Sequence, residues 1–214
     1  MSEIKTIAIL AAGEFPRSAA VLRLLDEADM IICCDSAAVA LVDSGREPSL
    51  IVGDLDSIPA SLLERFADRL RKVDEQEDND LTKAFYAAME FAPSTIHILG
   101  ATGRREDHTL GNISLLLEYK REAPACDIDM VSDYGRFVAA FGQRMFASVP
   151  GQEISIFAFD PSLRMTATGL EYPLDSVVFD SLWKASLNKA TGSEFTLSPN
   201  AYAPYLVYLC GPGL

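Results

Sequence analysis

The chain has 214 residues, 49% hydrophobic and 23% charged, a composition that packs a core and excludes intrinsic disorder. Its 31 acidic residues against 18 basic ones give a formal charge of -13. That balance opposes a nucleic-acid partner, whose phosphates need clustered Lys and Arg, but it allows a nucleotide substrate, because a divalent cation bridges carboxylates and phosphates.

Residues 1–10 are short, mixed in charge and run directly into Gly13, without the apolar region and cleavage site of a signal peptide. Short apolar runs then alternate with helical patterns. The runs at 6–10, 30–34, 50–52, 70–73, 95–99 and 128–132 are aliphatic or β-branched and close on Gly, Asp or Ser, as buried parallel strands do. Between them the patterning predicts helices at 18–27, 37–43, 60–68, 80–91 and 107–120; in the fourth, Leu81, Ala84, Phe85 and Ala88 form one apolar face. Strand alternating with helix implies βαβ units and an open, mostly parallel α/β sheet over residues 1–141.

After Phe141 the rhythm changes. Residues 142–151 contain Pro150 and two glycines and read as a linker. Strand-like stretches follow at 153–159, 164–168, 177–179, 194–197 and 205–209, separated by Asp160-Pro161, Thr191-Gly192 and Ser198-Pro199. The fold class expected is therefore α/β, with a small C-terminal all-β sandwich domain over 152–214. No apolar run approaches the ~20 residues that span a bilayer. Cys33, Cys34, Cys126 and Cys210 form no CxxC pair, and Cys33 and Cys34 lie in an apolar run. Buried free thiols and a cytoplasmic location, with no membrane partner, are the expectation.

The chemistry gathers at strand ends, where open α/β sheets bind ligands. The third apolar run leads into Gly53-Asp54-Leu55-Asp56-Ser57. On an extended backbone Asp54 and Asp56 would share a side, and two such carboxylates need a compensating cation. Mg²⁺ answers that need, typically with one or two carboxylates plus substrate phosphates; a solvated acidic loop, or helix caps ahead of Pro59, is the competing reading.

A second segment, residues 74–83, carries five acids in the seven positions 74–80, more than helix capping requires. Lys83, three residues after Asp80, is on the same helical face and offers a point charge for phosphate. The third segment, residues 100–112, follows a strand and opens a helix. Its glycine turn presents N–H groups to an anion, and Arg104 and Arg105 add charged donors. His108 and Asn112 share a helix face, whereas His97, inside the strand, reads as a core residue. There is no GxxxxGK followed by Ser or Thr, which excludes a P-loop.

Taken in order, these three segments resemble the thiamine pyrophosphokinase family, which pairs GDxDS with a QDxTDxxKA-type segment and a GATGGRxDH-type turn. The resemblance implies transfer of the β,γ-pyrophosphate of ATP, as co-substrate, to the hydroxyl of thiamine, with Mg²⁺ as cofactor. It also implies a homodimer with active sites between subunits. Carried over residue by residue, Asp54, Asp56 and Asp80 take the catalytic and metal positions, with Glu77 as a further metal position. Asp35, Gln76, Thr82, Lys83, Thr102, Gly103, Arg105, Asp107 and His108 take the ATP positions. In the tail, Tyr172, Trp183, Ser186 and Asn188 fall where thiamine would bind, although Tyr172 and Trp183 also suit a core. Four positions depart from the family pattern: Glu77 and Asn79 replace Asp and Thr, and Arg104 and Ser36 each replace a glycine.

Three other readings share the acidic and glycine segments. They are a pyrophosphokinase for another hydroxymethyl heterocycle such as a pterin, a metal-dependent nucleotide pyrophosphohydrolase, and a non-catalytic nucleotide-sensing module.

Overall fold

The computed structural model describes residues 4–75 and 77–211. It divides into two compact units, Met1–Asp133 and Tyr134–Leu214.

The first unit is built of βαβ repeats. Its strands are β1 (Thr6–Leu10), β2 (Met30–Cys34), β3 (Leu50–Gly53), β4 (Leu70–Lys72), β5 (Thr95–Leu99) and β6 (Asp127–Ser132). They pair in the order β6-β5-β1-β2-β3-β4, every neighbour parallel. The runs of Ile, Val, Leu and Cys that mark these strands are buried on both faces, with Ile7, Ile9, Ile32, Cys33, Ile51, Ile96 and Ile98 all fully enclosed. The chain starts in the middle of the sheet, builds outward through β4, then returns to the other side of β1 to lay down β5. The order of travel therefore reverses between β1 and β5, and ligands of open sheets bind at such a point.

Five helices connect these strands: α1 (Ala19–Glu27), α2 (Ala37–Asp43), α3 (Ala60–Arg65), α4 (Asp80–Met89) and α5 (Glu106–Glu122). Capping sets where they start. Ser18 Oγ accepts from the Val21 N–H at 3.3 Å, and Asn79 Oδ1 accepts from the Thr82 N–H at 2.9 Å. α5 carries Glu106 and Asp107 in its first turn and Lys120 and Arg121 in its last, the arrangement that complements its dipole. α3 is shorter than the expected 60–68. Its chain leaves helical geometry at Phe66, whose ring is buried beneath the guanidiniums of Arg65 and Arg69 at 4.9 and 5.4 Å, and continues as a 3-10 turn.

The second unit is all β. Strands β7 (Gly135–Phe141), β8 (Arg144–Ala147), β9 (Glu153–Ala158), β10 (Met165–Thr168), β11 (Asn188–Lys189), β12 (Glu194–Pro199) and β13 (Pro204–Cys210) form two antiparallel groups. One has the order β11-β9-β13-β7 and the other β10-β12-β8. Their apolar faces enclose one core in which Val138, Ile156 and Val207 meet Phe146, Phe195 and Leu197. Each large side chain so buried contributes roughly 1.5–3 kcal/mol.

Two sequence expectations change here. Residues 142–151 are not merely a linker: they hold β8, because Phe146 packs against Phe195 with ring centroids 5.0 Å apart. The run 177–179 joins no ladder; Phe179 is buried as an anchor, and the Val177 N–H closes a local turn on the Leu174 carbonyl.

Candidate active site

At the reversal point the loop after β1 lies against the loop after β5. The Ala11 N–H donates to the Leu99 carbonyl at 2.8 Å, Gly13 to Gly100 at 2.6 Å and Glu14 to Thr102 at 2.8 Å. A Cβ on Gly13 would stand 2.4 Å from the Gly100 oxygen, so this approach needs a glycine. Gly103 turns with φ +87°, and a Cβ there would strike Glu14. These loops and the starts of α4 and α5 enclose a cleft of about 370 Å³.

The cleft is lined by Thr102, Arg104, Arg105, His108 and Asn112 from the loop after β5 and α5, and by Cys34, Asn79, Asp80 and Leu81 from the end of β2 and the start of α4. Three of the expected ATP residues, Thr102, Arg105 and His108, thus come together with Asp80. The Asn112 amide donates to the Ala101 carbonyl at 2.8 Å and holds α5 to its own loop. Sequence reasoning had no signal for Ala11, Ala12 and Gly13, since nothing local marks a glycine that fits a carbonyl 87 residues away.

The acidic turn after β3 sits beside β2. Gly53 has no side chain where a Cβ would lie 2.9 Å from that of Asp35. Asp35 and Leu55 adopt φ +37° and +68°, sparsely populated values for non-glycine residues. Asp54 and Asp56 therefore do not lie on an extended backbone. Leu55 bends the chain, and the Asp56 N–H donates to Asp54 Oδ1 at 3.1 Å. Asp35 is buried; Ser57 Oγ donates to its Oδ2, while its Oδ1 has no partner.

Burial pushes the Asp80 carboxyl above its ordinary range; Lys83 opposes this, and the charges of Asp35 and Asp54 add to it. The Lys72 ammonium is raised by its hydrogen bond to Asp74 and further by the charges of Asp56 and Asp54. Asp35, Asp54, Asp56 and Asp80 thus share one negative field. Among the described residues no three His, Cys, Asp or Glu side chains form a ready-made metal cage. The residues present fit Mg²⁺ all the same. A buried, unpartnered carboxylate oxygen and two carboxylates on an open turn suit an ion that takes one or two carboxylates and keeps water or phosphate for the rest.

Other expected residues have different surroundings. The Thr82 side chain is buried, its hydroxyl 2.8 Å from that of Tyr119, and it is not part of the cleft wall. Lys83 is also buried, with Nζ 3.7 Å from Asp80 Oδ1. Glu77 is exposed, and its N–H donates to Glu75. Asp107 is occupied by Arg105 through a two-bond pair. Gln76 lies outside the described residues. His97 is part-buried, with Nδ1 2.7 Å from Asp129.

In the second unit Tyr172 and Trp183 are 53% and 71% exposed, so neither is core. Asn188 is buried and clamps the Tyr172 backbone, accepting from its N–H at 3.1 Å and donating to its carbonyl at 2.8 Å. Ser186 Oγ donates to the Trp183 carbonyl at 2.6 Å.

An open parallel sheet with a cleft at its reversal point, followed by an all-β unit, is the architecture of a two-domain α/β enzyme. Residues 21–128 match the model of the thiamin pyrophosphokinase catalytic domain, and residues 135–208 that of the thiamin pyrophosphokinase substrate-binding domain. A curated thiamine pyrophosphokinase from Bacillus subtilis (strain 168) is 32% identical over 181 residues, 81% of this chain and 83% of that protein. The crystal structure of the Bacillus subtilis thiamine pyrophosphokinase superposes with a TM-score of 0.81 at 28% identity, over 97% of this chain and 99% of that one. The Geobacillus thermodenitrificans thiamin pyrophosphokinase gives 0.80 at 25% identity, over 96% and 97%. The chain belongs to the thiamin pyrophosphokinase family.

Proposed function

We propose that this enzyme transfers the β,γ-pyrophosphate of ATP to the hydroxyl of thiamine, giving thiamine diphosphate and AMP. The observation that carries this reading is the match of both units to the two domains of one family, the catalytic one enclosing the acidic turn and the cleft. The hydroxyl oxygen attacks the β-phosphorus in line; the bond from that phosphorus to the α-side bridging oxygen breaks, and AMP leaves. The Gly100–Gly103 turn offers backbone N–H groups to phosphate oxygens, with Arg105 and His108 beside it.

Asp54 and Asp56 would hold Mg²⁺, with Asp80 flanking them; when bound, the ion supplies charge neutralisation for the transferred group. Asp80 has a second task in this reading. Its raised carboxyl is the residue of the cleft best suited to accept the hydroxyl proton. Tyr172 and Trp183 offer exposed aromatic faces to a heterocycle, on a segment that Ser186 and Asn188 hold in place.

We read the working form as a cytoplasmic homodimer with active sites between subunits. Exposed Leu182, Trp183 and Leu187 on the β unit and four free cysteines support that reading. No helix among the described residues is long and apolar enough to cross a membrane.

One incubation tests the activity: ATP, Mg²⁺ and thiamine, with thiamine diphosphate and AMP quantified together. AMP released without thiamine would replace this reading with a pyrophosphohydrolase, and product formed only with a pterin would reassign the acceptor. Light scattering across a concentration series tests the dimer, which a monomeric mass throughout would remove.

A further inference from the structure

Arg104 and Arg105 both line the cleft, yet their surroundings differ. Arg105 donates from Nε and Nη2 to the two oxygens of Asp107 at 3.1 and 2.6 Å. That bidentate pair occupies the fork a guanidinium otherwise offers to phosphate, and it compensates the charge within the loop. Arg104 is placed differently. Its Nη1 donates to the Ala12 carbonyl at 3.0 Å, and among the described residues no carboxylate pairs with it. One of its five N–H donors is used and the charge is uncompensated.

The Ala12 bond also anchors the arm. It runs from the loop after β5 to the loop after β1, across the point where the sheet reverses. An arginine tied at one end loses less side-chain entropy on meeting a ligand than a free one. Its neighbours in the lining, Ala101, Thr102 and the start of α5, belong to the turn whose N–H groups suit an anion.

We propose that Arg104 is an anchored phosphate-binding residue that takes an oxygen of the nucleoside triphosphate and sets the affinity for it. The proposal rests on the nucleotide reading above, but not on thiamine as acceptor.

The test uses the full chain and two variants, with ATP and adenosine titrated separately by calorimetry in the presence of Mg²⁺. Arg104→Gln keeps a donor for Ala12 and removes the charge; Arg104→Lys keeps the charge and loses the fork. Arg104→Gln weakens ATP about tenfold or more and leaves adenosine binding and Tm unchanged, as loss of a charged hydrogen bond predicts. Arg104→Lys falls between, and in turnover assays KM for ATP rises by more than kcat falls. Wild-type ATP affinity in Arg104→Gln overturns the proposal. So does an equal loss for ATP and adenosine, which would make the Ala12 tie the whole role. If the wild type binds ATP but forms no thiamine diphosphate, the acceptor reading fails while the ATP titration still decides Arg104; if it binds no ATP, both fall.

Discussion

Ser57 donates its hydroxyl hydrogen to the carboxylate of Asp35, joining the turn after β3 to the end of β2. The partner oxygen of that carboxylate is buried without a hydrogen bond, so among the described residues Ser57 is the side chain that ties down how Asp35 presents it. A hydrogen bond to a charged group contributes about 1.5–3 kcal/mol. Ser57→Ala should lower kcat/KM about tenfold or more at an unchanged circular dichroism spectrum, and Ser57→Thr should restore most of it. Wild-type kinetics in Ser57→Ala would remove Asp35 from the site.

Asp56→Asn should nearly abolish turnover while leaving the fold intact. Asp56 is exposed on the turn and supports no core residue, so its loss costs charge rather than packing. Raising Mg²⁺ should not rescue the variant. Near-normal product formation would end the assignment of this carboxylate to the metal.

Thr82 should prove to be a stability residue. Its hydroxyl shares a buried hydrogen bond with Tyr119, whose ring stacks on Phe85 at 4.1 Å. Thr82→Val leaves the Tyr119 hydroxyl unpaired and should destabilise the chain by roughly 1–3 kcal/mol in urea unfolding. Adding Tyr119→Phe should recover part of that loss, since the pair is then replaced by apolar groups. A rise in KM for ATP at unchanged stability would return Thr82 to the nucleotide.

The hydrogen bond from Arg105, with the His108 N–H adding to it, lowers the Asp107 carboxyl to about 2. Its folded value lies below the unfolded one, so whatever stability the ionised pair contributes is present above the unfolded carboxylate range, ~3.9. It is lost as pH falls through about 2, and salt screens it because the pair is exposed. Carboxyl NMR should place the Asp107 midpoint near that value, and Arg105→Gln should move it up. An unmoved midpoint in the variant would show that the guanidinium is not the cause.

The parallel strands were legible because each is a short aliphatic run that the sheet buries on both faces; Ile7, Ile32, Ile51 and Ile96 declare it without help from distant residues. β7 was not. Gly135 and Arg136 break its apolar pattern, and its partner β13 lies near the other end of the chain. The acidic turn and the glycine turn announced themselves by composition. Their geometry did not: Asp54 and Asp56 read as neighbours on an extended segment until the left-handed Leu55 bent it. Nor could local sequence separate Arg104 from Arg105, or send Thr82 inward to Tyr119, since those outcomes depend on Ala12, Asp107 and α5. Tyr172 and Trp183 carried two readings, thiamine contact or core, and their exposure removes the second. Aromatic side chains in a small domain suggest a core, but this core was already filled by Phe146, Phe179, Phe195 and Tyr205.

The cysteines carry a practical consequence. Burial pushes the thiols of Cys33, Cys34 and Cys126 up, which keeps them protonated and unreactive, whereas Cys210 at the end of β13 is exposed. A maleimide dye added to the native enzyme would therefore settle on the β unit, leaving the catalytic half unlabelled. That gives a fluorescent reporter at a single defined place without first stripping the chain of its other sulfurs.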